Sequence, residues 1–159
     1  MKTQIYKILE NVCDPEVPVL SILDLGIVRD VLIQKEGIEI VITPTYSGCP
    51  AMNMIAMNIR IEMATHGFEN VTIKEVLKPV WTTDWMSEAG KMKLKAYGIA
   101  PPQYFAKNVG LGMSDFRNVP CPLCDSTNTE LLSEFGSTSC KSLHRCKDCL
   151  EPFDYFKCH

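Results

Sequence analysis

At 159 residues, with a net charge of −3 and a pI near 5.6, the chain can hold one good-sized domain and a small satellite, and it has no general attraction for phosphate backbones or anionic membranes. Hydrophobic residues make up 46% and charged residues 22%, ordinary globular usage that indicates neither disorder nor a fibrous repeat. The start, Met1-Lys2-Thr3-Gln4-Ile5-Tyr6-Lys7, lacks a signal-peptide core, and no later run reaches the ~20 apolar residues that span a bilayer. A cytoplasmic, reducing location is therefore expected, where eight cysteines act as ligands or reactive thiols rather than as disulfides.

In chain order, Ile5, Ile8, Leu9 and Val12 recur at helical spacing until Asp14-Pro15-Glu16-Val17-Pro18 stops the helix. Strands are predicted at about 28–33 and 38–43, with Ile38, Ile40 and Ile42 on one face and Gln34-Lys35-Glu36-Gly37 as the hairpin between them. After the loop Pro44-Thr45-Tyr46-Ser47-Gly48-Cys49, Pro50 opens a helix that runs to about His66 and ends at Gly67. A third strand is expected at 70–77. A last helix, capped by Thr83 or Asp84, continues to about Tyr97 before Gly98 and Pro101-Pro102. The order α-β-β-α-β-α predicts an α/β fold, a small two-layer sandwich over residues 1–102, followed by a linker at 103–118 and a C-terminal zinc ribbon at 119–159.

The ribbon rests on cysteine spacing. Only Cys13 and Cys49 lie in the first 116 residues; the other six crowd the last 43. Cys121-Pro122-Leu123-Cys124 and Cys146-Lys147-Asp148-Cys149 are two C-x-x-C knuckles with 21 residues between them. Four thiolates at ~2.3 Å make a closed tetrahedral shell suited to structural Zn²⁺, and iron would fit the same shell. Metal binding can contribute ~10–16 kcal/mol to a segment whose own core is too small to fold it. Cys140 and Cys158 are spare, as are His144 and His159. The two cysteines either form a second metal or redox site or simply pack.

In the first domain the exposed-thiol candidate is Cys49, placed where backbone N–H groups and the helix dipole favour a thiolate. Thr43, Thr45, Tyr46, Ser47 and Gly48 would surround a bound anion or cluster sulfide with donors. The alternative is a cysteine packed as a small hydrophobe. Hydrolytic chemistry would need a base, and His66 at the far end of the same helix is ~25 Å away. Asp14, Glu16 and Asp24 are candidate ligands or proton carriers, although their contexts also read as turns.

The helix after Cys49 carries Met52, Ile55, Ile59 and Met63 along one side and Met54, Met57 and Ile61 along another, which predicts either core packing or a protein interface. Trp81-Thr82-Thr83-Asp84-Trp85 either frames a pocket or belongs to the core.

Asp14-Pro15-Glu16, Asp24-Leu25-Gly26 and Thr43-x-x-x-Gly48-Cys49-Pro50 resemble the SufT-like metal-sulfur cluster assembly family over roughly the first hundred residues. Trp81-Thr82-Thr83-Asp84-Trp85-Met86-Ser87, Gly98-Ile99-Ala100-Pro101-Pro102 and Phe135-Gly136-Ser137-Thr138-x-Cys140-Lys141 narrow the resemblance to the PaaD (PaaJ) family of accessory components of the phenylacetyl-CoA epoxygenase. The resemblance implies a helper, not a catalyst, for a system with a di-iron oxygenase and a flavin and [2Fe-2S] reductase in phenylacetate catabolism. It maps the assembly cysteine to Cys49 and the family's acidic residues to Asp14, Glu16 and Asp24, with Thr43 and Ser47 supporting. Cys13 matches no motif position and is read as structural.

The expected function is support of iron or iron-sulfur cofactor assembly, with Cys49 a transient iron or cluster ligand, in one arrangement between two protomers of a homodimer. The rival is a scaffold that holds oxygenase components together. Thiol redox chemistry is disfavoured because Cys140 and Cys158 form no C-x-x-C. A nucleic-acid ribbon is disfavoured because the tail from Arg117 carries five positive side chains against six negative.

Overall fold

The computed structural model describes residues 1–103 and 118–157. They form two compact units, one of Met1–Gly90 and the other of the described residues from Lys91 onward. This boundary falls ahead of the position 102 read from the sequence, inside the last helix.

The first unit is the expected α/β sandwich. Its elements are α1 (Lys2–Leu9), β1 (Val28–Gln34), β2 (Gly37–Ile42), α2 (Ala51–Thr65) and β3 (Val71–Glu75), a 3-10 turn at Thr83–Trp85 and the start of α3 (Glu88–Tyr97). β1 and β2 are antiparallel and joined by a two-residue turn, Lys35-Glu36, with Gln34 opposite Gly37. α2 then crosses over so that β3 pairs parallel to β2, Ile40 opposite Ile73, in the sheet order β1-β2-β3. β2 is the central strand, and the period-2 pattern buries Ile38, Ile40 and Ile42 together. α1 packs on α2 and β1, and α2 on β3. The buried stripe of α2 is Met52, Ile55, Ile59 and Met63, whereas Met54, Met57 and Ile61 remain exposed.

The predicted last helix is broken in two. After the 3-10 turn, Met86 is extended, and Ser87 caps α3 by accepting from the Gly90 N–H at 2.9 Å. Asp24 fixes the break: its carbonyl accepts from the Ser87 N–H at 2.9 Å and its Oδ1 from the Ser87 hydroxyl at 2.9 Å. Its other oxygen accepts from the Ser21 N–H at 3.1 Å, while the Ser21 hydroxyl accepts from the Asp24 N–H at 3.0 Å. Trp81 is a core residue, its Nε1 donating to the Leu25 carbonyl at 2.8 Å. The half-buried Trp85 ring carries the Arg29 guanidinium 3.7 Å above it.

The second unit is a four-stranded sheet in the order β4-β7-β6-β5, built from β4 (Ile99–Ala100), β5 (Thr129–Ser133), β6 (Lys141–Cys146) and β7 (Pro152–Phe156). β5, β6 and β7 are antiparallel neighbours, as expected of a ribbon. β4 lies upstream of the predicted linker and pairs parallel to β7, with Ala100 opposite Tyr155. Ala100, Val119, Cys121, Cys146, Phe153 and Tyr155 form the small core, with Cys149 against it. His144 is fully buried there, stacked on Phe153, and burial pushes its pKa down to about 4. Its Nε2 pairs with the Ser142 hydroxyl at 2.9 Å while Nδ1 has no partner among the described residues. Among the described residues no helix is long and apolar enough to cross a membrane.

Gly26, in the Asp24-Leu25-Gly26 turn, has φ +69°, and a Cβ there would lie 2.1 Å from the Trp85 carbonyl oxygen. Gly26→Ala therefore meets both a left-handed backbone and an immovable main chain. Urea unfolding is expected to show a loss of ~3 kcal/mol or more, large for a single methyl group.

Candidate metal centres

Cys121 and Cys124 sit in a tight turn just after Val119, and Cys146 ends β6 with Cys149 in the turn that leads to β7. The two turns close alike. The Cys121 N–H donates to the Ser126 carbonyl at 2.9 Å and the Cys146 N–H to the Glu151 carbonyl at 3.0 Å. The residue after each second cysteine, Asp125 or Leu150, has positive φ, 61° and 66°. Backbone N–H groups thereby turn toward sulfur: those of Cys149 and Asp148 toward Cys146, that of Ser126 toward Cys124, and that of Glu151 toward Cys149.

The ligand atoms of all four cysteines lie within 4.8 Å of one another. Cys121 and Cys149 sulfurs are 3.7 Å apart and Cys124 and Cys146 sulfurs 3.5 Å. A tetrahedron with ~2.3 Å metal-sulfur bonds has edges of ~3.8 Å, so the sulfurs already stand near the corners of a metal shell. Their protons also report crowding. N–H groups of Cys149 and Asp148 draw the Cys146 thiol down to about 7. Cys124, although pulled down by the Ser126 N–H, is pushed up to about 12 by desolvation and by hydrogen bonding with the Cys146, Cys121 and Cys149 sulfurs. Four sulfurs this close cannot all ionise unless a cation neutralises them, which fits a metal.

The knuckles are also tied to each other, by residues that the cysteine spacing did not reveal. Asp148 Oδ2 accepts a short hydrogen bond from the Ser126 hydroxyl, and Oδ1 accepts from the Asn128 amide at 2.9 Å. The Lys147 N–H donates to the Asn128 carbonyl at 2.8 Å. Ser126 and Asn128 follow the first knuckle, as polar residues of a turn would, so their partner was invisible without the fold.

Cys49 lies in the loop between β2 and α2. Its N–H donates to the Tyr46 carbonyl at 3.2 Å, and Gly48 has φ +78° with open space where a Cβ would be. The sulfur is half-buried, and the expected thiolate preference is reversed: burial pushes the thiol above its ordinary value. The Ala51 N–H pulls it down, the Glu16 carboxylate pushes it up, and hydroxyls of Tyr46 and Thr45 pull it down. Desolvation thus outweighs the helix N-terminus.

The fold draws Glu16 into the electrostatic surroundings of Cys49. Asp14 Oδ1 accepts from the Glu16 N–H at 2.7 Å and the Val17 N–H at 3.0 Å, which holds the turn that carries Glu16. Asp24 is buried in the Ser21 and Ser87 network already described. Thr43 is buried with a hydroxyl that has no hydrogen-bond partner among the described residues, and Ser47 is exposed. Cys13 is half-buried in an isolated bridge with Ser21. His66 is exposed beyond the far end of α2. Cys140 is buried, its sulfur 3.0 Å from the Thr138 hydroxyl. Cys158 and His159, the other spare ligands, lie outside the described residues.

Residues 110–157 match the family model described as the PaaD zinc beta ribbon domain, and residues 2–76 match that of the iron-sulfur cluster assembly protein family. A protein of Escherichia coli K12, named as one subunit of a "Putative 1,2-phenylacetyl-CoA epoxidase", is 49% identical over 155 residues, covering 98% of this chain and 92% of that one. This chain belongs to the PaaD family. Its PaaD architecture joins an iron-sulfur assembly domain to the family's own ribbon. Two solved structures are similar over part of the chain. A domain of unknown function from Bacillus anthracis is 29% identical, with TM-score 0.55, over 58% of this chain and 90% of that one. A conserved hypothetical protein from Thermotoga maritima is 28% identical, with TM-score 0.50, over 59% and 93%.

Because burial and Glu16 both favour the protonated thiol, alkylation of Cys49 by iodoacetamide is expected to stay slow at neutral pH and to rise only above the pH at which an ordinary cysteine responds. Glu16→Gln removes the repelling charge and moves that rise to lower pH. Peptide mapping by mass spectrometry checks both; an unmoved profile in the variant would show that Glu16 does not act on this sulfur.

Proposed function

We propose that this chain is a non-catalytic accessory component of the phenylacetyl-CoA epoxygenase of phenylacetate catabolism, supporting iron or iron-sulfur cofactor assembly in its di-iron oxygenase or its [2Fe-2S] flavin reductase. The observation that carries this reading is the 49% identity, over 98% of the chain, to a protein named as an epoxidase subunit, combined with the iron-sulfur assembly match over residues 2–76. It works in the cytoplasm, without nucleic acid or membrane.

In this reading Cys49 is the transient ligand and iron its cargo. A thiol that keeps its proton at neutral pH gives it up when a soft cation binds, so uptake releases a proton and strengthens as pH rises. Half burial shields the resting sulfur while leaving one side open to an ion or a client. Glu16, supported by Asp14, adds negative charge that attracts a cation, and Thr43, Thr45, Tyr46 and Ser47 supply hydroxyls. One sulfur cannot complete an iron-sulfur site, so the other ligands come from a second copy in a homodimer or from the client. Cys121, Cys124, Cys146 and Cys149 hold structural zinc, whose chemistry here is to fold the second unit.

Anaerobic reconstitution with iron and sulfide tests the carrier role. Wild type is expected to gain cluster absorbance and Cys49→Ser to lose it, both keeping one zinc per chain; equal absorbance removes Cys49 from the mechanism.

A scaffold role has its own observation. Met54, Met57 and Ile61 are 45%, 48% and 56% exposed at i, i+3 and i+7 on α2, an apolar stripe in reach of a partner. Phenylacetyl-CoA epoxidation in cells separates the two readings. The carrier predicts loss with Cys49→Ser, whereas the scaffold predicts loss with Met57→Glu and none with Cys49→Ser.

A further inference from the structure

We infer that Asp148 is the positioning residue that sets how tightly the four-cysteine centre retains its metal. Each knuckle closes on itself through its own backbone, Cys121 to Ser126 and Cys146 to Glu151, and neither closure fixes the distance between the two sulfur pairs. Asp148 does. It stands between Cys146 and Cys149 in the second knuckle, yet its carboxylate is spent on the first, one oxygen on the Ser126 hydroxyl and the other on the Asn128 amide.

Ser126 is the residue whose carbonyl closes the first knuckle and whose N–H turns toward the Cys124 sulfur. Its hydroxyl in turn accepts from the Asn128 N–H at 3.1 Å, which fixes the segment that Asp148 holds. A parallel bond from the Lys147 N–H to the Asn128 carbonyl makes the tie two-stranded. Opening the shell to release the ion requires one knuckle to swing away from the other, and that motion breaks the Asp148 bonds first. Asp148 itself is exposed and touches no sulfur with its side chain in any described hydrogen bond, so it acts through the ligands and not as one.

Both carboxylate oxygens are needed because each takes a different donor. Asn at this position keeps an oxygen for the Asn128 amide and presents an amide to the Ser126 oxygen, whereas Ala keeps neither.

The experiment measures zinc release from the full chain to a chromogenic chelator at neutral pH. Outer-shell partners of metal ligands are typically worth 10–100-fold, so Asp148→Ala is expected to release zinc ~10-fold faster or more, with Asp148→Asn between it and wild type. Cobalt-substituted Asp148→Ala should keep the visible bands of a four-thiolate site, since no ligand has changed. Arg145→Ala, at an exposed side chain that pairs with Glu130, should release at the wild-type rate. A release rate for Asp148→Ala within twofold of wild type overturns the inference, as does an altered cobalt spectrum, which would make Asp148 a ligand. If Asp148→Ala does not fold, Ser126→Ala and Asn128→Ala carry the test: each should speed release several-fold, and wild-type rates in both reject the clamp.

Discussion

Sulfur atoms held within 4.8 Å of one another repel as anions, and in the second unit this constraint governs the rest. A sheet of short strands with so small a core among the described residues has too little apolar area to hold two knuckles together against that repulsion. A divalent cation reverses the sign of the interaction, turning the most costly contact into the strongest. Backbone N–H groups aimed at Cys146, Cys124 and Cys149 spread the remaining charge, and the left-handed residues Asp125 and Leu150 are the conformational cost of aiming them.

The first unit handles a single sulfur in the opposite way. Partial burial beside Glu16 keeps Cys49 protonated, not poised as a nucleophile. Its position between the central strand and the next helix makes it depend on the sheet. The buried row Ile38, Ile40 and Ile42 anchors β2, β2 delivers the loop, and α2 leaves it. In the proposed carrier role, a thiol held protonated at rest would lose its proton to the incoming cation.

Two polar residues do comparable work at points where hydrophobic packing gives no direction. Asp24 joins the Ser21 turn to the Ser87 cap and so decides where the last helix begins. Asp148 joins one knuckle to the other. Asp148 spends both carboxylate oxygens on donors of the other knuckle, Asp24 spends one on its own turn and one on Ser87, and each would leave unpaired donors behind if shortened.

Local rules were enough for much of this molecule. Helical spacing in Ile5, Ile8 and Leu9, alternation in Ile38, Ile40 and Ile42, and Pro50 at a helix start are short-range signals, since backbone geometry repeats every 3.6 or 2 residues. The two C-x-x-C pairs declared a shared centre because a knuckle is itself a local structure. Such signals account for the elements from α1 to β3 and for the composition of the four-cysteine cluster, but they left open which apolar stripe of α2 is buried. The fold was needed to place Ser87, not Thr83 or Asp84, as the cap of the last helix, to bring Ile99 and Ala100 into the ribbon sheet, to set Glu16 in the electrostatic surroundings of Cys49 and to let Asp148 span the knuckles. Those outcomes depend on hydrogen bonds, charges and strand pairing between residues 20 to 63 positions apart, and no periodicity encodes such partners. The Cys49 proton obeys the same division: a helix N-terminus is visible in sequence, but the desolvation that outweighs it exists only once the chain has closed around the sulfur.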